Sequence, residues 1–178
     1  HILRKLKAEG WDDVTVCIND AYYDMFEYHT EKVDGLRIHL SAHPKSEEIG
    51  TAGEIVTAAR YLKSDRFLVW YGDILSHVDT AAMRTKFDGM GPRPSAFIAT
   101  AQNYQTDKGV VDLEPTESWG PTRTVRAVRE KPLIELPNLI GIDLFRADVL
   151  EFLSIGRDLH RDVLPFLLEK GHAVYAYV

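Results

Sequence analysis

The residues best suited to chemistry lie in the run FLVWYGD at 67–73. Five apolar residues stop at Gly72-Asp73, and such a run ending in a turn signal predicts a buried strand over 67–71. Open α/β sheets bind ligands beyond the carboxyl ends of their strands, which is where Asp73 would stand. A carboxylate there suits Mg2+, a hard cation held by one or two carboxylates, substrate phosphate oxygens and water. Gly72 would let a ligand come close to the backbone. The competing reading is an ordinary Gly-Asp turn, and spacing alone does not separate the two.

Three further sites pair a chemical reading with a plain one. Gly50-Thr51-Ala52-Gly53 opens a predicted helix. Small residues at a helix start leave N–H groups open to a phosphate, or to a nucleotide base or ribose. Alternatively Thr51 is an ordinary N-cap and the glycines serve tight packing, and the tetrad is neither a Walker loop nor a dinucleotide fingerprint. In Glu130-Lys131-Pro132, Lys131 suits a phosphate and Glu130 suits sugar hydroxyls. Taken alone, that tripeptide reads better as a solvated strand edge blunted by proline. Gly109 offers close ligand approach or a turn. The histidines show no metal-ligand spacing, His39 and His43 included, and read as surface or structural groups.

The elements that would position these residues alternate. Residues 1–9 have helical apolar spacing ended by Gly10. Residues 14–18 read as a strand, 20–29 as a helix capped by Asp20, 36–40 as a strand and 50–62 as a helix before the 67–71 strand. This α-β-α-β-α-β order predicts a parallel sheet with both faces covered. A helix over 79–87 near Asp79, a turn cluster at 88–94 and a strand over 95–101 follow. Residues 109–113 and 124–129 alternate and are expected to pair as a hairpin-like insertion within the irregular stretch 102–132. A strand over 139–145, helices over 147–153 and 161–169, a stop at Gly171 and a strand over 173–177 complete the pattern. The whole reads as one domain, 1–178.

The chain has 178 residues, 45% hydrophobic and 27% charged, enough for a substantial core. A net charge of -6 argues against a general nucleic-acid binder. The single cysteine, Cys17, excludes an internal disulfide framework and is expected in the core. No apolar run reaches membrane-spanning length, no signal-peptide pattern is present, and a cytoplasmic setting is expected. The chain starts within a predicted helix and stops within a predicted strand, so it reads as truncated at both ends.

The order GTAG (50–53), FLVWYGD (67–73), KGVVDL (108–113), VREKP (128–132) and GIDLF (141–145) resembles the sugar-1-phosphate nucleotidylyltransferases, mannose-1-phosphate guanylyltransferases among them. The likeness extends from HILRKLKAEGWDDVTVCIN to RDVLPFLLEKGHAVYAYV. It implies an α/β, Rossmann-like fold: a mostly parallel sheet flanked by helices, with a small β-rich insertion. It implies transfer of a nucleotidyl group from an NTP to a sugar 1-phosphate, with GTP and mannose 1-phosphate favoured, and no nucleic-acid or membrane partner. Carried over by position, Asp73 would bind the catalytic Mg2+. Gly50, Thr51 and Gly72 would lie at the nucleotide. Gly109 and Glu130 would meet the sugar, and Lys131 its phosphate.

Departures from the family pattern qualify this. The family's glycine-rich loop would precede His1, and its second metal-binding aspartate would follow Val178. Where the family has Asn-Ala-Gly-Ile-Tyr, this chain has Leu139-Ile140-Gly141-Ile142-Asp143, so the family's sugar-contacting Asn is either replaced by Leu139 or displaced to Asn138. A non-catalytic nucleotide-sugar-binding or regulatory homologue is therefore the alternative. A glycosyltransferase is disfavoured, because no Asp-x-Asp follows the strand. The assembly state stays open, a homo-oligomer included.

Overall fold

The β-branched and apolar runs form strands close to where their pattern places them. In the computed structural model, which describes residues 1–30, 33–91, 94–115 and 122–178, the chain groups into two units. Unit 1 comprises residues 1–99 and 141–177, and unit 2 comprises residues 100–140 with Val178. Parts of the predicted turn cluster at 88–94 and of the irregular stretch at 102–132 lie outside the described residues.

Unit 1 opens with α1 (Ile2–Ala8), β1 (Asp13–Asn19), α2 (Tyr23–Thr30), β2 (Arg37–His43), α3 (Gly50–Ala58) and β3 (Arg66–Trp70). The predicted cap of α2 moves one residue back. Asn19, not Asp20, accepts the Ala21 N–H at 3.0 Å, and a 3-10 turn over Asp20–Tyr22 precedes the helix. After β3 come α4 (Thr80–Gly89) and β4 (Ala96–Ala101). Asp79 caps α4, its side chain accepting the Ala82 N–H at 2.8 Å.

β1 and β2 pair in parallel, Asp13 with Arg37 through Asn19 with His43. A second sheet has the order β10-β4-β9-β3, where β9 is Asn138–Arg146 and β10 is Val174–Tyr177. β10 and β4 are parallel. β9 runs antiparallel to β3, with Val69 opposite Asp143 and Trp70 opposite Ile142. The sheet is thus mixed, as many α/β sheets are.

β9 is buried through residues 141–145, and Ile142, Leu144 and Phe145 are fully enclosed. Each such side chain contributes about 1.5–3 kcal/mol by leaving water. Phe145 packs on Phe67 across the sheet at 5.6 Å between ring centroids. Around them lie Ala52 and Ile55 of α3, and Leu159, Val163, Leu164 and Leu167. The last four come from a π-helical turn (Leu159–Val163) that runs into α5 (Leu164–Glu169). A 3-10 turn over Ala147–Phe152 links β9 to this segment. The core therefore clamps the start of α3 between the sheet and residues 153–167.

Unit 2 contains β5 (Tyr104–Gln105), β6 (Val110–Leu113), β7 (Val125–Arg129) and β8 (Leu133–Ile134). β6 and β7 form the expected hairpin-like pair, antiparallel from Val110 opposite Arg129 to Leu113 opposite Val125, with an irregularity at Asp112/Leu113. β5 pairs antiparallel with β8.

Candidate functional site

β3 ends at Trp70, and the chain turns through Tyr71, Gly72 and Asp73. The Ile74 N–H donates to the Tyr71 carbonyl at 3.0 Å. The Trp70 indole Nε1–H donates to the Ile74 carbonyl at 2.8 Å and ties the turn back onto the strand. Asp73 is exposed. A Cβ on Gly72 would meet nothing within 4 Å. Both residues line a cleft of about 1060 Å³, together with Thr51, Tyr71, strands β1 and β3 and the apolar face of α1. The turn reading of Gly72-Asp73 is therefore true, and the turn presents a free carboxylate to a cleft.

Gly50 begins α3 at φ 70. A Cβ at this position would lie 2.4 Å from the Arg157 carbonyl oxygen. The glycine is required by that close backbone approach and by its left-handed conformation. Thr51 is not a simple cap. Its hydroxyl donates to Asp158 Oδ2 at 3.0 Å and accepts the Leu159 N–H at 2.7 Å. The Ala52 N–H donates to the Arg157 carbonyl at 3.0 Å, and the Gly156 N–H to the Ile49 carbonyl at 2.7 Å. Residues 156–159 are thus bolted to the helix start by four hydrogen bonds from both partners.

Sequence reasoning missed the cluster beneath this arrangement. Asp143 is fully buried, and its Oδ2 accepts from His160 Nε2 at 2.7 Å. His160 stacks on Tyr71, with centroids 5.2 Å apart and planes at 9°. The bond to Asp143 raises the His160 pKa, against the opposing effect of burial, and the Asp143 and Asp158 charges add to the rise. Burial raises the Tyr71 phenol, and the Asp158, Asp143 and Asp73 charges push it the same way. Backbone N–H donors of Arg161 and His160, with the Thr51 hydroxyl, hold Asp158 below the usual carboxylate range against a smaller effect of burial. One signal was available: an acid inside the apolar run LIGIDLF is costly unless paired. Its partner, 17 residues away, was not readable from spacing.

In unit 2 the predicted sugar-side residues Gly109 and Glu130 adjoin. A Cβ on Gly109 would lie 3.2 Å from Glu130 Oε2. Lys131 follows β7 at φ 43, among the described residues the single non-glycine position with positive φ. Its carbonyl accepts from the Gln105 side chain. Asn138 differs: its amide nitrogen is spent on the Ala101 and Leu136 carbonyls at 3.3 and 3.2 Å.

His39 and His43, expected as surface or structural groups, each lie beside an acid. His39 Nε2 lies 3.0 Å from Asp13, and His43 Nδ1 lies 3.3 Å from Glu54. Cys17 is half-buried, and its thiol donates to the Glu54 carbonyl at 3.5 Å. Among the described residues no group of three His, Cys, Asp or Glu side chains could enclose a metal. Asp73 makes no hydrogen bond or ion pair among them either, so it fits a Mg2+ held by one protein carboxylate and completed by substrate oxygens. Among the same residues no helix is long and apolar enough to cross a membrane.

The nucleotidyl transferase family profile matches residues 1–178. A mannose-1-phosphate guanylyltransferase of Mycobacterium tuberculosis is 28% identical over 195 residues, covering 100% of this chain and 49% of that protein. Mannose-1-phosphate guanylyltransferase 1 of Arabidopsis thaliana is 27% identical, with coverage of 100% and 49%. The chain thus spans about half the length of these relatives. Among solved structures, the inositol-1-phosphate CTP transferase from T. maritima superposes with a TM-score of 0.67 at 14% identity, covering 99% of this chain and 69% of that one. HddC from Yersinia pseudotuberculosis gives 0.65 at 17% identity, covering 99% and 75%. At these identities the structures speak for the Rossmann-like fold alone.

Proposed function

This chain belongs to the nucleotidyl transferase family, and from that premise we propose that it transfers a nucleotidyl group from an NTP to a sugar 1-phosphate. GTP and mannose 1-phosphate are the favoured pair, because the curated relatives are named for that reaction. The observation that carries the reading is the free Asp73 carboxylate at the end of β3, in one cleft with Gly72 and Thr51.

In this reaction an oxygen of the sugar 1-phosphate attacks the α-phosphorus of the NTP. The bond from that phosphorus to the bridging oxygen breaks, and pyrophosphate leaves. Both reactants are anions, so placement and charge neutralisation matter more than a protein nucleophile. A Mg2+ at Asp73 would draw charge from the phosphate oxygens and orient them. The chain's own residues bind and orient. Gly72 leaves the approach to Asp73 open, and Gly50 and Thr51 set the helix start that receives the nucleotide. In unit 2, Lys131 offers a cation to the sugar phosphate. Glu130, beside Gly109, accepts from sugar hydroxyls. Asn138 keeps its side-chain oxygen for the same purpose.

The test is pyrophosphate release by the full-length protein across four NTPs and a panel of sugar 1-phosphates with Mg2+. Release with GTP and mannose 1-phosphate above other pairs is expected. Binding of a nucleotide sugar with no release from any pair would establish the non-catalytic alternative.

A further inference from the structure

Asp143 sits in the most apolar part of β9, fully buried. A carboxylate in such a place is strongly disfavoured unless it is paired. Its Oδ2 is bound to His160 Nε2 at 2.7 Å, and its Oδ1 has no hydrogen-bond partner among the described residues. Asp143 lies opposite Val69. Side chains two positions along a strand share a face, so Gly141 and Tyr71 lie on the same side of the sheet as this pair. The Tyr71 N–H donates to the Gly141 carbonyl at 2.9 Å. Gly141 has φ 71, and a Cβ there would lie 3.2 Å from the Tyr71 Cβ and 3.1 Å from its Cγ. The missing side chain at 141 seats the Tyr71 ring, and His160 stacks on that ring.

His160 is also tied to α3. Its backbone N–H donates to Asp158 Oδ1 at 2.9 Å, and Asp158 Oδ2 accepts from the Thr51 hydroxyl. One residue therefore touches the strand end that leads into Gly72-Asp73 and the segment that clasps Gly50-Thr51. We propose that His160, oriented by the buried Asp143 carboxylate, is a positioning residue that fixes the β3 end carrying Asp73 against the α3 start carrying Thr51. It touches no reacting atom. Its consequence for turnover rests on the nucleotidyl-transfer reading, while its geometry does not. The groups facing its imidazole are Asp143 from β9, Tyr71 just past the end of β3 and Asp158 from its own segment.

The test is residue-resolved amide hydrogen exchange in the full-length protein and in His160→Gln and Asp143→Asn variants. Four amides report the junction: Tyr71, Ile74, Ala52 and Leu159, each hydrogen-bonded there. Their exchange is expected to quicken about tenfold in His160→Gln through local opening, with β4 amides unchanged. Where turnover is measurable, KM for the NTP should rise more than kcat falls. Unchanged exchange at the four amides, or equal acceleration at β4, overturns the proposal. If His160→Gln does not fold, the isosteric Asp143→Asn decides by the same measurement. Exchange as expected in a protein that releases no pyrophosphate sinks the activity and leaves the positioning role standing.

Discussion

His160 Nε2 and Asp143 Oδ2 lie 2.7 Å apart, in a pair whose acid has no solvent exposure and whose imidazole retains 18%. The fold raises the His160 pKa above 6.5, chiefly through this bond. A raised basic group stabilises the fold fully below its unfolded pKa and loses that contribution as pH climbs through the folded value. Thermal stability should therefore decline as pH rises from about 6.5 through the folded His160 value. Melting curves between pH 5.5 and 9 check this, and the decline should vanish in Asp143→Asn.

Removing one partner of a buried pair costs about 3–5 kcal/mol, whereas replacing both by apolar residues is often near neutral. The double variant Asp143→Leu/His160→Leu should be less destabilised than His160→Leu alone. Denaturant unfolding of the single and double variants measures the coupling.

Asp73 is exposed and unpartnered among the described residues, so it adds nothing to folding. Asp73→Asn should keep the wild-type melting temperature and lower pyrophosphate release by about a hundredfold or more. Unchanged turnover would remove Asp73 from the metal site.

Gly50 presents the opposite case. Alanine at φ 70, with its Cβ 2.4 Å from the Arg157 oxygen, should destabilise by about 2 kcal/mol or more. Urea titration of Gly50→Ala reads this directly, and a loss under half that size would mean that residues 156–158 yield easily.

Lys131 holds φ 43 without being glycine, and strained backbone of this kind gathers at functional positions. Asparagine tolerates the left-handed region but carries no charge. Lys131→Asn should leave stability unchanged and raise KM for the sugar 1-phosphate about tenfold, the effect of losing one charge-assisted hydrogen bond. Steady-state kinetics with the sugar phosphate varied would show it.

Burial, aided by the Glu54 charge, pushes the Cys17 thiol up to about 12. Thiolate is the reactive form, so iodoacetamide at pH 8 should leave Cys17 unmodified in the folded protein and modify it in urea. Intact mass before and after treatment decides.

By itself the sequence determined most of the strands and helices, since period and turn signals act locally, although the helix expected over 147–153 is a 3-10 turn over Ala147–Phe152. The 67–71 run became β3 with Asp73 just past its end, 109–113 and 124–129 paired as β6 and β7, and Asp79 capped α4. It also determined the family, through the order of its motifs. Tertiary structure alone decided what those residues touch. Gly50 is glycine because the Arg157 carbonyl lies against it, Thr51 spends its hydroxyl on Asp158 and Leu159, and Asp143 finds His160. Each of these contacts spans 17 residues or more of chain. Local propensity carries no information over such distances. The packing of β9 and residues 156–163 against α3 creates them.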